Sequence, residues 1–170
     1  MQQRPHFLQL IILLFCAFTF AVFAQQPTIY SCIPCGSSCD KDTYSKPGKC
    51  SHCNMELVLQ STIHIKHIQP ADMCDYIKNH PEVILLDVRT EDEFEGKASP
   101  DFGTLKNAIN IPIQQLKEKV KSIEHLKNKA IIVFCSHSHR SPRASYMLTQ
   151  QGFTNITNLD GGMSEVQDKT

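Results

Sequence analysis

The stretch Val133–Leu148, "VFCSHSHRSPRASYML", decides the fold of this chain. The apolar run "AIIVFC" ends in Cys135 and is typical of a strand that is buried on both faces of a parallel sheet. Ser141 and Pro142 then open a helix-like segment, which Gly152 ends. The stretch therefore predicts a strand, a short loop and a helix, with one cysteine at the carboxyl end of the strand.

The loop that follows Cys135 has the features of an anion-binding cradle. Ligands of open α/β sheets bind at the carboxyl ends of strands, and there the backbone N–H groups from Ser136 to Arg140 can curl around the sulfur. The N-terminus of the following helix adds about half a positive charge, and Arg140, Arg143 and a nearby imidazole add more. These groups would stabilise a thiolate, or an anion attached to it.

Strand-like and helix-like segments alternate along the rest of this region. Four more runs predict strands: "TIHIKHI" (62–68), "EVILLDV" (82–88), "NAINIP" (107–112) and "NITNLDGG" (155–162). Three segments predict helices between them: "QPADMCDYIKNH" (69–80), "TEDEFEG" (90–96) and "IQQLKEKVKSI" (113–123). We therefore expect an α/β domain with a mostly parallel sheet and helices on both faces, over residues 60–170.

Several polar and sulfur-bearing side chains have simple structural interpretations. Glu91, Asp92 and Glu93 are most simply the solvated start of a capped helix, and Cys74 is most simply a small core residue. For His137 and His139, exposure to solvent in the loop is a simpler expectation than a direct role in proton transfer.

Four motifs in order resemble the rhodanese (sulfurtransferase) family: "LLDVRTEDEFEGK", "LKNAINIP", "VFCSHSHRSPRAS" and "NLDGGM". The resemblance implies that Cys135 is the nucleophile that carries a persulfide, with Arg140 as the second catalytic residue. It implies a substrate-binding loop of four residues: Ser136, His137, Ser138 and His139. It implies that the loop is supported from the neighbouring strand by the "DVR" residues Asp87 and Arg89.

The resemblance also implies two substrates, a small sulfur donor such as thiosulfate and a thiol or cyanide-like acceptor. It implies that the transfer itself needs no cofactor. Two features depart from the family. Ser138 stands where many members have glycine, and only "SEVQDKT" follows "GGM", so the last helix is short or absent. A phosphatase or arsenate reductase is the competing enzyme class, but such enzymes carry Cys-x5-Arg, whereas Cys135 to Arg140 is Cys-x4-Arg, a tighter pocket.

A cysteine-rich segment, residues 28–58, precedes this domain, and we call it the head. Two C-x-x-C pairs, Cys32/Cys35 and Cys50/Cys53, predict a site for zinc or another thiophilic metal, although disulfides remain the alternative in an exported protein. Cys39 is a candidate fifth ligand, or a partner for Cys74. The head is too poor in apolar residues to hold its own core, so it needs a metal or disulfides.

The pieces "YSC" and "KPGKCSHCNMELV" of the head resemble the small heavy-metal-binding domain of copper- and silver-export proteins. The first half departs from that family, since "CIPCGSSC" has cysteines where the family has methionine and histidine. The departure favours a zinc-like thiolate site over copper transfer. The resemblance implies an alternative function, in which the chain binds or senses Zn or Cu and the rhodanese-like unit is an accessory or inactive module.

The first 24 residues, "MQQRPHFLQLIILLFCAFTFAVFA", predict a signal peptide, because a short apolar run follows Arg4 and small residues precede Gln25. An uncleaved anchor is the alternative. We therefore expect a periplasmic or secreted protein that does not stay in the membrane after cleavage. The formal net charge is zero and no basic block is present, which argues against a nucleic-acid partner.

Overall fold

The computed structural model describes residues 27–167, so the predicted signal peptide lies outside the described residues. A two-stranded antiparallel sheet closes the head, and it consists of β1 (Tyr30–Ser31) and β2 (Val58–Leu59). A five-stranded sheet follows, built from β3 (Lys66–Ile68), β4 (Ile84–Asp87), β5 (Ile109–Asn110), β6 (Ile131–Phe134) and β7 (Ile156–Leu159). The five strands predicted from the sequence are confirmed.

The five-stranded sheet has the order β3-β7-β6-β4-β5, and every pairing in it is parallel. In the part of the chain that the structure describes, five α-helices accompany it: α1 (Pro70–Asn79), α2 (Glu91–Phe94), α3 (Ile113–Lys119), α4 (Ser141–Gln150) and α5 (Met163–Gln167). Within residues 27–167, none of the helices has the length and apolar character that a membrane crossing requires.

Strand β6 lies at the centre of the sheet and contributes to a core on each face. Ile131 and Val133 pack in one apolar cluster with residues of α3 and α4, and Ile132 and Phe134 pack in the other with residues of α1 and α5. Alternating side chains of a strand point to opposite faces, so an all-apolar strand requires helices on both sides. The predicted α/β fold with a flanked parallel sheet is therefore confirmed.

Because all five strands are parallel, their carboxyl ends meet at one edge of the sheet. The ends of β4 and β6 are joined there, since the Val88 amide donates to the Phe134 carbonyl at 3.0 Å. The loop after β6, which begins with Cys135, therefore faces the segment after β4, which leads through Thr90 into α2. This edge is where the predicted site residues are brought together.

Helix α1 packs differently from the expectation. Met73 is buried, with Tyr76 and Ile77 partly buried against the same cluster, whereas Cys74 is exposed. Neighbouring helical positions lie about 100° apart around the axis, so burying Met73 turns Cys74 outward. The prediction that Cys74 is a core residue is wrong. The last helix, α5, is short, as expected.

Candidate functional site

The Cys135 side chain is 1% exposed, and its Sγ lies 3.5 Å from the Ser141 hydroxyl at the start of α4. The next five residues, 136–140, form the turn between β6 and α4. Among the described residues, none accepts a hydrogen bond from the backbone N–H groups of this turn. Unpaired amides beside a cysteine are donors available to an anion on its sulfur.

The start of α5 holds the carbonyl groups of the turn. The Met163 amide donates to the Cys135 carbonyl at 2.8 Å, and the Ser164 amide donates to the Ser136 carbonyl at 2.9 Å. Gly162 makes this approach possible, because a Cβ on it would lie 2.4 Å from the Cys135 carbonyl oxygen. The "GGM" motif therefore fixes the peptide groups of the first two loop residues.

Ser138 adopts a left-handed backbone conformation, with φ at 56°, at the position where glycine was the family expectation. Its hydroxyl donates to the Leu159 carbonyl at 3.3 Å and accepts a hydrogen bond from Asn158 Nδ2 at 3.1 Å. A left-handed non-glycine residue costs roughly 1–2 kcal/mol. The two hydrogen bonds between Ser138 and β7 offset that cost and explain why serine is tolerated.

Arg140 is paired with Glu93 of α2 through two N–O contacts of 2.7 Å, and it also donates to the Ser136 hydroxyl at 2.6 Å. The hydrogen bonds from Arg140 lower the pKa of Glu93 to about 2. The pKa of Arg140 is raised, first by Glu93 and to a lesser degree by Cys135. The Glu93 side chain is only 13% exposed. The expectation that Glu93 belongs to a solvated helix start is therefore wrong, because it braces the loop.

Asp87 and Arg89 form a fully buried ion pair at the end of β4. Arg89 Nη2 lies 2.7 Å from Asp87 Oδ2, and it also donates to the Gly103 carbonyl at 2.9 Å. Within residues 27–167, no hydrogen bond joins either side chain to the turn 136–140, and Arg89 Nη1 has no partner. Direct bracing of the loop comes from Glu93, and support by Asp87 and Arg89 remains a prediction.

The two loop histidines are exposed, as expected, and face different neighbours. The His137 ring lies edge-on to Phe102, with ring centres 5.1 Å apart. The His139 Nδ1 donates to the Cys35 carbonyl oxygen of the head at 2.5 Å. The loop around Cys135 is therefore in direct contact with the head.

Four cysteines of the head have sulfur atoms within 4.8 Å of one another: Cys32, Cys39, Cys50 and Cys53. Cys35 is not among them, because its thiol faces the Ser37 hydroxyl at 3.3 Å and the Asp40 carboxylate at 3.7 Å. The structure thus brings Cys39 next to three of the four predicted ligands, Cys32, Cys50 and Cys53, and does not bring Cys35 there. A 3-10 turn, Ser38–Lys41, carries Cys39 into the place that the C-x-x-C pattern gave to Cys35.

Three of the four clustered thiols have shifted pKa values. Burial raises the pKa of Cys39 to about 12 and also raises the pKa of Cys32. Hydrogen bonds, the strongest from the Cys53 backbone N–H, lower the pKa of Cys50 to about 6. Cys50 therefore ionises more readily than Cys32 and Cys39. The four residues are of a type and spacing that can hold a thiophilic ion.

Three residues of the site were not identified from the sequence. The sequence pattern indicates only a helix start at Ser141, a solvent-facing residue at Glu93 and a strand position at Asn158. The capping-box spacing of Thr90 and Glu93 was visible in the sequence, and that box is formed. The second partner of Glu93 is Arg140, and this contact forms only because β4 packs beside β6.

A cysteine cradle at the carboxyl edge of a parallel α/β sheet defines a recognisable class of domain. The family model described as the rhodanese-like domain matches residues 70–169, and the chain belongs to this family. A tRNA uridine(34) hydroxylase from Cytophaga hutchinsonii is 31% identical over 118 residues, which are 64% of this chain and 36% of that protein. The chain thus spans about a third of the length of the curated relatives it matches.

Solved structures support the same assignment. A rhodanese-related protein from Thermoplasma volcanium is 36% identical, with a TM-score of 0.51, over 61% of this chain and 92% of that one. The human single-domain sulfurtransferase TSTD1 shares the fold, with 19% identity and a TM-score of 0.52 over 63% of this chain and 99% of that one.

Proposed function

We propose that this chain is an exported sulfurtransferase, which moves sulfane sulfur from a donor such as thiosulfate to a thiophilic acceptor. The observation that carries the proposal is the position of Cys135 beside the unpaired amides of residues 136–140, with Arg140 held next to them. Membership of the rhodanese-like family supports it. The predicted signal peptide, 1–24, supports export.

The proposed reaction has two displacements at sulfur. The Cys135 thiolate attacks the outer sulfur of thiosulfate, the sulfur–sulfur bond of the donor breaks, and sulfite leaves with the bonding electron pair. A persulfide anion remains on Cys135, where the loop amides donate to its terminal sulfur. An acceptor such as cyanide then attacks that sulfur, so that thiocyanate leaves and the Cys135 thiolate is restored.

Incubation of the purified chain with thiosulfate and cyanide tests this function through the thiocyanate that forms. We expect turnover by the native chain and by Cys74→Ser, which changes an exposed thiol on α1, and none by Cys135→Ser. Wild-type turnover by Cys135→Ser would show that another group is the nucleophile.

The named activity of the curated relatives, tRNA uridine(34) hydroxylation, belongs to proteins about three times as long as the matched region. We propose that this chain shares with them the cysteine-bearing domain and acts on small sulfur compounds. Its zero formal net charge supports this view, since tRNA contact relies on clustered basic residues. Tight, salt-dependent binding of tRNA to the purified chain would contradict it.

A second candidate function is metal binding by the head, with zinc or another thiophilic metal as the ion. The four clustered sulfur atoms favour it, because tetrahedral thiolate sites are typical of zinc. In this alternative the head handles the metal and the rhodanese-like unit is its accessory. Native mass spectrometry tests it: one bound ion per chain supports metal binding, and two head disulfides without an ion exclude it.

A further inference from the structure

The five head cysteines fall into two groups with different surroundings. Four contribute sulfur atoms to one buried cluster, namely Cys32, Cys39, Cys50 and Cys53. The Cys32 and Cys53 sulfur atoms lie 3.7 Å apart. Two thiolates bound at about 2.3 Å to one tetrahedral ion lie about 3.8 Å apart, so this pair already has the separation that a shared ion imposes.

The cluster also has the outer contacts of a metal site. The His52 backbone N–H donates to Cys50 Sγ at 3.4 Å, and the Tyr44 hydroxyl donates to the same sulfur at 3.7 Å. Donors that point at a sulfur atom orient it as an acceptor, and such outer contacts fix the geometry of ligands. Besides its cysteines, the described part of the head buries two apolar side chains, Ile33 and Leu57, and Tyr30 and Tyr44 are partly buried, so little apolar burial holds the head together.

A short chain of direct contacts leads from this cluster to the loop of Cys135. The residue after Cys39 is Asp40, whose carboxylate accepts from the Cys35 amide at 3.0 and 3.1 Å and from the Gly36 amide at 2.7 Å. The Cys35 carbonyl in turn accepts from His139 Nδ1. Position 39 in the cluster and position 139 in the loop are thus linked through one carboxylate and one peptide group.

We propose that the cluster binds one thiophilic divalent ion with Cys39 as its fourth ligand, and that this ion fixes the Cys35–Gly36 turn against His139. The proposal rests on the second candidate function above and names its ligands and its effect. An ion on Cys39 holds the 3-10 turn in place, so the Asp40 carboxylate stays positioned to orient the turn. Cys35 is no ligand, and its contribution is the backbone carbonyl.

Zinc binding to the full chain tests the ligand set, with Cys35→Ser as the matched control for Cys39→Ser. Both variants remove one head thiol from the same short segment. We expect one Zn(II) per chain in the native protein and in Cys35→Ser, and affinity lower by at least about tenfold in Cys39→Ser. Zinc kept by Cys39→Ser but lost by Cys35→Ser would overturn the assignment. Native protein that has neither bound zinc nor free thiols in the head would overturn it as well.

The alkylation rate of Cys135 tests the link to the loop, and it needs no sulfur-transfer activity, so it stays informative even if the sulfurtransferase proposal fails. We expect Cys39→Ser to raise this rate several-fold, because His139 loses its anchor and the buried thiol is uncovered more often. His139→Ala should raise the rate similarly, the double variant should add nothing, and Cys35→Ser should match the native protein. Zinc loss in Cys39→Ser without a faster reaction at Cys135 would overturn the link.

Discussion

Glu93 and Arg140 lie 47 positions apart in the chain and meet in a two-point ion pair, with both N–O distances at 2.7 Å. Glu93 also accepts from the Thr90 backbone and hydroxyl, each at 3.0 Å. One carboxylate therefore caps α2 and holds the last residue of the Cys135 turn. Arg140 consequently acts as a brace between two strand ends, in addition to carrying a positive charge beside the nucleophile.

Glu93→Gln should lower sulfur transfer by about tenfold or more, because a loop that shifts by an ångström misplaces the amides around the sulfur. The measurement is the rate of thiocyanate formation at saturating thiosulfate. Asp92→Asn is the control, since it removes an exposed charge from the same helix turn. Equal rates in the two variants would show that the ion pair does not position the loop.

The Glu93–Arg140 pair should also make stability depend on pH in the acid range. The pKa of Glu93 is about 2 in the folded chain, against an ordinary value of 4.5. A lowered pKa adds stability that is present above about pH 4.5 and is lost as the pH falls towards 2. We expect on the order of 2 kcal/mol from this carboxylate at neutral pH.

Urea unfolding at several pH values measures this contribution. The free energy of unfolding of Glu93→Gln should be lower than that of the native chain at neutral pH, and the two values should converge as the pH approaches 2. A constant difference across the range would assign the destabilisation to packing instead of charge.

The sheet and the place of the site were predictable from the sequence because both depend on local patterns. "ILLD" and "IIVF" are apolar runs of strand length, and parallel strands bring their carboxyl ends to one edge. The burial of Glu93 was not predictable, because the local capping pattern with Thr90 already accounts for a glutamate at this position. Its ion pair with Arg140 forms only through tertiary packing. Spacing likewise favoured Cys35 as a ligand, since a C-x-x-C pattern contains no information about the turn that brings Cys39 inward.

The hydrogen bond from Asn158 should matter while residue 138 is a serine, because glycine adopts the left-handed conformation without such support. Asn158→Ala removes the donor at 3.1 Å from the Ser138 hydroxyl, and Ser138→Gly removes the backbone cost of a left-handed residue. We expect Asn158→Ala to slow sulfur transfer in the native background and to have a clearly smaller effect in the Ser138→Gly background.

A double-mutant cycle of these two substitutions checks the expectation, with a coupling energy on the order of 1 kcal/mol in stability. Additive effects in both stability and rate would mean that Asn158 supports the site through other contacts, such as its bond to Asp160 at 3.0 Å.

Gly162 should be far less replaceable than another glycine of similar conformation. Gly162→Ala places a methyl group 2.4 Å from the Cys135 carbonyl oxygen, whereas nothing lies within 4 Å of a Cβ on Gly152. Both residues have positive φ, at 66° and 86°. The comparison of Gly162→Ala with Gly152→Ala therefore separates crowding at the loop from backbone strain.

We expect Gly152→Ala to cost roughly 1–2 kcal/mol of stability and to leave the transfer rate unchanged. Gly162→Ala should lose most of the activity even where the chain remains folded by circular dichroism. Full activity in a folded Gly162→Ala chain would contradict the role given to the start of α5.

The most direct test of sulfur transfer through Cys135 is the intact mass of the chain after thiosulfate treatment and removal of excess donor. We expect a gain of one sulfur atom, located by peptide mapping on Cys135, with none on the exposed Cys74, and a return to the original mass after cyanide. A chain that gains no sulfur, or that gains it on a cysteine of the head while Cys135 stays unmodified, would contradict the account.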